Sequence, residues 1–341
     1  MAKKKKHTLL KVASAATVTA AAAYSGASYL VFRYAFDAAN SPYLNDAEES
    51  HPLDEEKAAW FEHSDKEDEF IDSFDGLKLH ALKVRNHPDG KKWAIVLHGI
   101  GTQARAMLPV LWEFDHRGFN VLACDLRGFG MSEGKYSTLG WLEHYDLINW
   151  INQLISEVAD AEIVLYGLNL GAAAVINAAG DYIPPQVKCA VEDGSWSGME
   201  DVILHMIRMD LNVDGRLVLP GVDLLAKNIL HFAVRDIDMH RQLKQASVPM
   251  LFTHGEKDPT IPASMLFDCY YACASEKDLY VDNAAGFNET ERTPEYWNTV
   301  FGFTGKYISE RTKLKVLIFY YTDNKRDKFI FIPQIPSIVN Q

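Results

Sequence analysis

The segment Gly167-Leu168-Asn169-Leu170-Gly171 has the spacing of a turn that could place one side chain for chemistry. It follows the apolar run Glu162–Tyr166 directly and precedes the small-residue run Ala172–Ala179. Glycines at both ends of the turn permit a strained backbone and a close approach of a helix to a strand. A hydroxyl, thiol or carboxylate in the middle of such a turn would be a nucleophile. The residue there is Asn169, whose amide is a poor nucleophile near neutral pH.

Other polar residues also follow predicted strands. His98, Asp193 and Asp258 each come at or just after a short apolar run. Ligands of parallel α/β sheets bind at the carboxyl ends of the strands, so we expect these groups to share one edge with Asn169. A serine–histidine–acid set also needs an imidazole, and the sequence has no histidine after His254. We interpret His98 as a brace for its own loop, and Asp193 as a residue that caps or braces the helical segment that follows it in the chain.

From residue 71 onward, short apolar runs alternate with helical segments. This alternation predicts an α/β fold with a mostly parallel, doubly wound sheet and helices on both faces. A hairpin turning at Asp75-Gly76 is expected to precede the alternation. Residues 196–248 interrupt it with extra helical segments, which predicts a helical cap over the strand ends. The last helix is predicted over Tyr296–Tyr307.

Five motifs, in this order, resemble those of the α/β-hydrolase superfamily. The resemblance covers Ile71 to Tyr307. Within the superfamily, the chain most resembles membrane-associated cell-surface hydrolases related to serine aminopeptidases and prolyl-oligopeptidase-type domains. The motifs are His98-Gly99-Ile100-Gly101, Asp125 to Gly134 (DLRGFGMSEG), Gly167 to Gly171 (GLNLG), His254 to Pro262 (HGEKDPTIP) and Ala284-Ala285-Gly286-Phe287.

The resemblance implies a role for five positions. It places the nucleophile at Asn169, the acid at Asp258 and the histidine at Phe287, with oxyanion donors at the backbone N–H groups of Ile100 and Leu170. Neither an amide nor a phenyl ring performs the expected proton transfer. Loss of either triad member leaves about 10³–10⁴-fold catalysis over water. The resemblance implies no cofactor and no metal, and a small acyl or peptide-like ligand.

Three routes could restore catalysis. Asn169 could deamidate to a carboxylate, although no base would then activate water. His144 or His205 could reach the site, but we interpret both as surface or helix-face residues. Ser132 could act as a displaced nucleophile, but we interpret it as structural.

The N-terminal segment combines a cluster of lysines with 21 uncharged residues, Val12 to Phe32. As a helix this run would reach about 30 Å, the hydrocarbon thickness of a bilayer. We favour a retained signal anchor over residues 1–36, since apolar character continues past any small-residue cleavage site; a cleaved signal peptide is the alternative. Both place the folded domain outside the cytoplasm. An acidic lead-in, 37–70, is expected to follow, with a short helix around Glu55–His63.

Composition limits the function further. The net charge of −12 gives no electrostatic basis for nucleic-acid binding. The four cysteines are interpreted as packed thiols.

The hydrolase domain is expected over 71–307, followed by an extension, 308–341, that forms a hairpin or edge strand or else has no selected structure. Three functions stay open: a degenerate homologue that binds a ligand without turnover, a hydrolase of esters or peptides using displaced residues, and a surface interaction module.

Overall fold

A computed structural model describes residues 2–41, 44 and 54–308 of this protein. The predicted C-terminal extension lies outside these residues, apart from Ile308. Within them, eight strands form one sheet in the order β1-β2-β4-β3-β5-β6-β7-β8. The strands are β1 (Lys66–Asp72), β2 (Lys78–Val84), β3 (Lys92–Leu97), β4 (Asn120–Cys124), β5 (Glu162–Leu168), β6 (Val187–Asp193), β7 (Met250–Gly255) and β8 (Lys277–Asp282).

Pairing is antiparallel at one edge of the sheet and parallel elsewhere. β2 pairs antiparallel with both β1 and β4, whereas β4, β3, β5, β6, β7 and β8 run parallel to one another. The mostly parallel α/β sheet predicted from the sequence is confirmed. All the parallel strands therefore end at one edge, where the polar residues noted above collect.

The described residues form ten α-helices. They are α1 (Ala2–Phe36), α2 (Glu55–His63), α3 (Leu108–Asp115), α4 (Trp141–Glu157), α5 (Leu170–Ala179), α6 (Met199–Leu211), α7 (Leu219–Ile229), α8 (Met239–Leu243), α9 (Ala263–Ala272) and α10 (Pro294–Thr304). Helices α6, α7 and α8 lie between β6 and β7, within the interval where extra helical segments were predicted, and we call this insertion the cap. Helix α2 has the expected bounds, capped by the Asp54 side chain on the Lys57 N–H.

The first strand extends further than the sequence pattern predicted. β1 begins at Lys66, inside the segment expected to be an acidic lead-in, and pairs with β2 along its whole length. It is an edge strand whose outward side chains are solvated, so a run such as Glu67-Asp68-Glu69 is tolerated and produces no apolar alternation. Salt bridges from Lys83 to Glu67 and Glu69, at 3.5 and 3.3 Å, offset part of its negative charge.

Close packing explains the glycines of the 167–171 turn. A Cβ on Gly171 would lie 2.5 Å from the Leu97 carbonyl oxygen, and one on Gly167 would lie 2.4 Å from the Gly171 carbonyl carbon. Helix α5 therefore runs against β3 and β5 with backbone in contact, and all of its side chains are buried. This packing fixes the position of Asn169 relative to the end of β3.

The end of helix α1 belongs to the folded domain, which moves the boundary predicted at residue 36. Phe32 and Phe36 are fully buried, and their rings pack on Tyr136 and Phe232 at centroid distances of 5.7 and 6.3 Å. A Cβ on Gly221 of the cap would collide with the Ser28 hydroxyl, so α1 and α7 are in close contact. Among the described residues, no helix combines the length and apolar character that crossing a bilayer requires.

Candidate active site at the carboxyl end of β5

Asn169 has the strained backbone that the turn requires. Its φ and ψ are 51° and −103°, a left-handed value that non-glycine residues rarely adopt. The Asn169 N–H donates to the Asp193 carbonyl at 2.7 Å, and the Gly171 N–H donates to the His98 carbonyl at 3.1 Å. These bonds join the turn to the neighbouring strand ends on both sides, which hold the strained conformation in place.

The side-chain amide of Asn169 is buried and points at the predicted oxyanion donors. Its Oδ1 accepts a long hydrogen bond from the Ile100 N–H at 3.4 Å, and its Nδ2 donates to the Gly194 carbonyl at 3.5 Å. These partners fix which end of the amide is oxygen. Leu170 is the first residue of α5, a position whose N–H has no partner within the helix. The side-chain amide oxygen of Asn169 thus lies beside the Ile100 N–H, one of the two groups expected to stabilise the oxygen of a bound acyl group.

Asp258 lies in the loop after β7, but its partners are local. Its Oδ1 accepts from the Thr260 and Ile261 N–H groups at 2.7 and 2.8 Å, which closes the loop. Its Oδ2 lies 3.6 Å from His254 Nε2, whose nearer contact is the Ile261 carbonyl at 2.9 Å. Burial raises the pKa of Asp258, although the two N–H groups act in the opposite direction. One carboxylate oxygen therefore lacks a strong partner among the described residues.

Phe287 lies in the loop that follows β8, beside the Asp258 loop. The two loops touch where the Lys257 N–H donates to the Ala285 carbonyl at 3.0 Å. Phe287 is half-buried and packs against the apolar core. Asn288, with φ of 52°, was not predicted to face the turn. A Cβ on Gly99 would lie 3.5 Å from both the Asn288 amide nitrogen and Asn169 Cβ, so the two asparagines flank Gly99. Adjacency to Phe287 was the only sequence signal for this residue.

A buried polar cluster beneath the site braces the Phe287 loop. Asp193 Oδ2 accepts from the Thr290 hydroxyl at 2.6 Å and from the Tyr166 hydroxyl at 3.4 Å. Tyr166 and Tyr296 share a hydrogen bond of 2.9 Å. Burial raises the pKa of Asp193, and the hydroxyls of Thr290, Tyr296 and Thr253 oppose the shift. Asp193 thus joins the end of β6 to the loop after β8, whereas the sequence had predicted that it caps or braces the helical segment that follows β6.

Ser132 is held by backbone partners and does not face an imidazole nitrogen. Its hydroxyl donates to the Asp125 carbonyl at 2.7 Å and accepts from the His80 N–H at 2.8 Å. The His80 ring bonds elsewhere, to Asp125 Oδ2 at 2.7 Å and to Asp68 Oδ1 at 3.0 Å. Although a serine, a histidine and an aspartate lie together here, the serine proton has no imidazole to accept it.

His98 is also committed to its own loop. Its Nε2 accepts from the Leu126 N–H at 3.0 Å, so the proton is on Nδ1, which donates to the Gly99 carbonyl at 2.7 Å. Burial lowers the pKa of His98. The imidazole therefore stays neutral with both nitrogens occupied, as a brace between the 98–101 loop and the end of β4.

His205 and His144 lie on helices rather than in the loops at the strand ends. His205 of α6 lines a cleft of about 680 Å³ between the cap and α9, with mixed charges from Asp201, Arg208 and Asp268. His144 of α4 is buried, and its nearest carboxylate is Asp181 at 3.7 Å. Neither His205 nor His144 has a hydrogen bond to Asn169 or Asp258.

His144 should make stability depend on pH. Burial lowers its pKa from an ordinary 6.5 to about 4. Because the pKa of His144 is lower in the folded than in the unfolded chain, its contribution to the free energy of unfolding is complete above pH 6.5. This contribution is lost as the pH falls towards 4. Between pH 7.5 and 5 this loss amounts to about 2 kcal/mol, at 1.36 kcal/mol per pKa unit. Urea unfolding of the unmodified chain and of His144→Gln at both pH values checks this: equal pH dependence in the two proteins would contradict it.

One family model and several solved structures of esterases are similar to this chain. A family model described as Serine aminopeptidase, S33 (Hydrolase_4) matches residues 89–208, which contain the 98–101 loop and the Asn169 turn. The esterase Pf2001 of Pyrococcus furiosus superposes with a TM-score of 0.61 at 21% identity, covering 76% of this chain and 96% of the esterase. Acetyl xylan esterase 1 of Thermoanaerobacterium superposes with a TM-score of 0.54 at 16% identity, covering 78% and 98%.

The chain is an α/β-hydrolase-fold protein. Sequence relatives agree with this assignment. The uncharacterized protein YqkD of Bacillus subtilis is 24% identical over 248 residues, which is 71% of this chain and 80% of YqkD. The α/β-hydrolase domain-containing protein WAV2 of Arabidopsis thaliana is 25% identical over 265 residues, which is 72% of this chain and 81% of WAV2. The fold that the five motifs implied is therefore confirmed: the chain has the α/β-hydrolase fold.

Proposed function

We propose that this α/β-hydrolase protein is a non-catalytic member of its superfamily, with a triad inactivated at Asn169 and Phe287. One observation carries the proposal: the amide oxygen of Asn169 faces the Ile100 N–H from the position of the nucleophile. Near neutral pH an amide there does not lose a proton to form an anionic nucleophile, and its lone pairs are not basic enough to attack an acyl carbon. It also occupies the space that a substrate carbonyl would need.

The surroundings support the same proposal. A hydrolase that worked through displaced residues would need a nucleophile with a base in reach, and the described candidates are otherwise engaged. Ser132 has two backbone partners, and His98 has both ring nitrogens in hydrogen bonds. Any ligand, including the acyl or peptide-like molecule that the resemblance implies, would be bound and released unchanged.

Attachment to a membrane, with the folded domain outside the cytoplasm, stays a prediction of the sequence. The lysine cluster and the uncharged run support it. The packing of residues 28–36 against the domain leaves residues 12–27 for a bilayer, about 24 Å as a helix against a hydrocarbon thickness of ~30 Å. Fractionation of cells that express the full chain decides the matter, because recovery in the soluble fraction would contradict attachment.

An activity assay tests the proposed function. The purified protein is expected to hydrolyse p-nitrophenyl acetate, butyrate and octanoate no faster than a matched variant, Asp258→Asn, because neither protein can complete a triad. Aminoacyl p-nitroanilides extend the panel to peptide-like bonds. Turnover that Ser132→Ala abolishes would establish the displaced-nucleophile alternative and sink the proposal. Absence of both turnover and ligand binding would favour the surface interaction module.

A further inference from the structure

A second cleft, of about 430 Å³, lies between the turn after β1, the loop before α4 and the end of cap helix α7. It is separate from the candidate active site, since none of Asn169, Asp258 and Phe287 lines it. Its walls are mainly aromatic and aliphatic, as is typical of small-molecule sites of 300–1,000 Å³. Six of the apolar residues are Leu77, Tyr136, Trp141, Leu142, Leu230 and Phe232.

The walls are held by packing behind them. The end of α1 supports two of them, because Phe32 lies edge-on to Tyr136 and Phe36 lies edge-on to Phe232. Trp141 packs on His144 at a centroid distance of 4.9 Å. The apolar lining therefore exists before any ligand arrives, so that binding would require little ordering of side chains.

Three charged residues line the cleft, and Lys135 is the one of them that forms no ion pair with another described residue. Arg127 is almost fully buried and forms two hydrogen bonds of 2.7 Å with Asp146 and one of 2.9 Å with Asp75. The one carboxylate that lines the cleft, Asp75, is therefore already paired. Lys135 is exposed and forms no ion pair within the described part of the chain; its Nζ lies 5.0 Å from the centre of the Tyr136 ring. His231 adds an exposed imidazole at the rim.

The rim also exposes apolar surface to water. Phe74 is 64% exposed and Ile229 is 36% exposed, and both line the cleft. The Arg127 guanidinium lies 5.5 Å from the centre of the Phe74 ring, a cation–π contact that holds the ring over the opening. A bound apolar group would remove this surface from water, at roughly 25 cal/mol per Å².

We propose that this cleft binds an amphipathic carboxylate, with its apolar body between Trp141, Leu142 and Phe232 and its carboxylate at Lys135. Apolar walls select the body, and the unpaired ammonium selects an anionic head over a cationic one. The proposal goes beyond the proposed function and does not depend on it, because it concerns binding at residues that take no part in the candidate active site.

Calorimetric titration of the full chain with decanoate, below its micellar concentration, tests the proposal. We expect saturable binding to the unmodified protein. Ile229→Asp places a charge at the apolar rim and should weaken binding about tenfold, or 1.4 kcal/mol. Leu224→Asp is the matched control, since Leu224 lies on the same helix at 63% exposure and does not line the cleft. It should bind decanoate within about twofold of the unmodified protein.

The headgroup is tested separately. Lys135→Glu should weaken decanoate binding about tenfold and strengthen binding of decyltrimethylammonium, because the sign of the rim charge is reversed. Absence of saturable decanoate binding to the unmodified chain would overturn the proposal. So would equal losses in Ile229→Asp and Leu224→Asp, or equal affinity of the unmodified chain for the two amphiphiles. These experiments measure binding and not turnover, so a finding that the protein is an active enzyme would not change the outcome for the cleft.

Discussion

Changing Asn169 to serine together with Phe287 to histidine is expected to raise hydrolysis of p-nitrophenyl acetate at least about 100-fold over the unmodified chain. A complete triad contributes far more than this factor in natural hydrolases, so the figure allows for imperfect geometry. Three features favour the gain. The turn keeps its strained φ of 51°, removal of the amide leaves the Ile100 N–H free for an oxyanion, and Asp258 Oδ2 is available to a new imidazole.

The single changes are the controls for this experiment. Asn169→Ser supplies a hydroxyl without a base, and Phe287→His supplies a base without a hydroxyl, so each should stay within about tenfold of the unmodified protein. Adding Asp258→Asn to the active pair should remove most of the gain, because the imidazole loses its orienting acid. If the pair gains nothing while remaining folded, the loop after β8 does not place residue 287 as the family does.

Replacing Arg127 with methionine is expected to lower the free energy of unfolding by about 3–5 kcal/mol, a cost typical of breaking one side of a buried ion pair. Arg127 is 3% exposed and bonds to Asp146 through two nitrogens. The neutral side chain would leave the Asp146 carboxylate buried without its partner. Burial raises the pKa of Asp146 to about 6 in the presence of Arg127, so urea unfolding is measured at pH 8, where this carboxylate is charged in the unmodified protein and the loss is largest.

Two further variants identify the cause of that loss. Arg117→Met removes a guanidinium of similar size from the surface, where its salt bridge with Glu113 should contribute less than about 1 kcal/mol. The double change Arg127→Met with Asp146→Leu removes both buried charges and should recover at least about 2 kcal/mol of the single variant's loss. A double variant no more stable than the single one would mean that Arg127 acts through its packing on Phe74 and not through charge.

The sequence alone predicted the parallel sheet, helix α2 at its observed bounds and the helical insertion before β7. These features depend on local patterns of apolar residues, turn glycines and helix caps, which are readable without distant contacts. The strand at the acidic edge was missed in part, because a solvated edge strand with Glu67-Asp68-Glu69 carries no apolar alternation. The end of α1 was assigned to an anchor, because an uncharged run looks the same whether lipid or protein covers it.

For the candidate site, the sequence established which residues stand at the two motif positions: residue 169 is an asparagine and not a serine, and residue 287 is a phenylalanine and not a histidine. Only the tertiary structure decided what those residues do instead. It turned the Asn169 amide towards the Ile100 N–H, placed Asn288 beside Gly99 and engaged Ser132 with backbone groups. Such contacts join strand ends far apart in the chain, so their geometry depends on the packing of α5 against β3 and β5 and is absent from any local pattern.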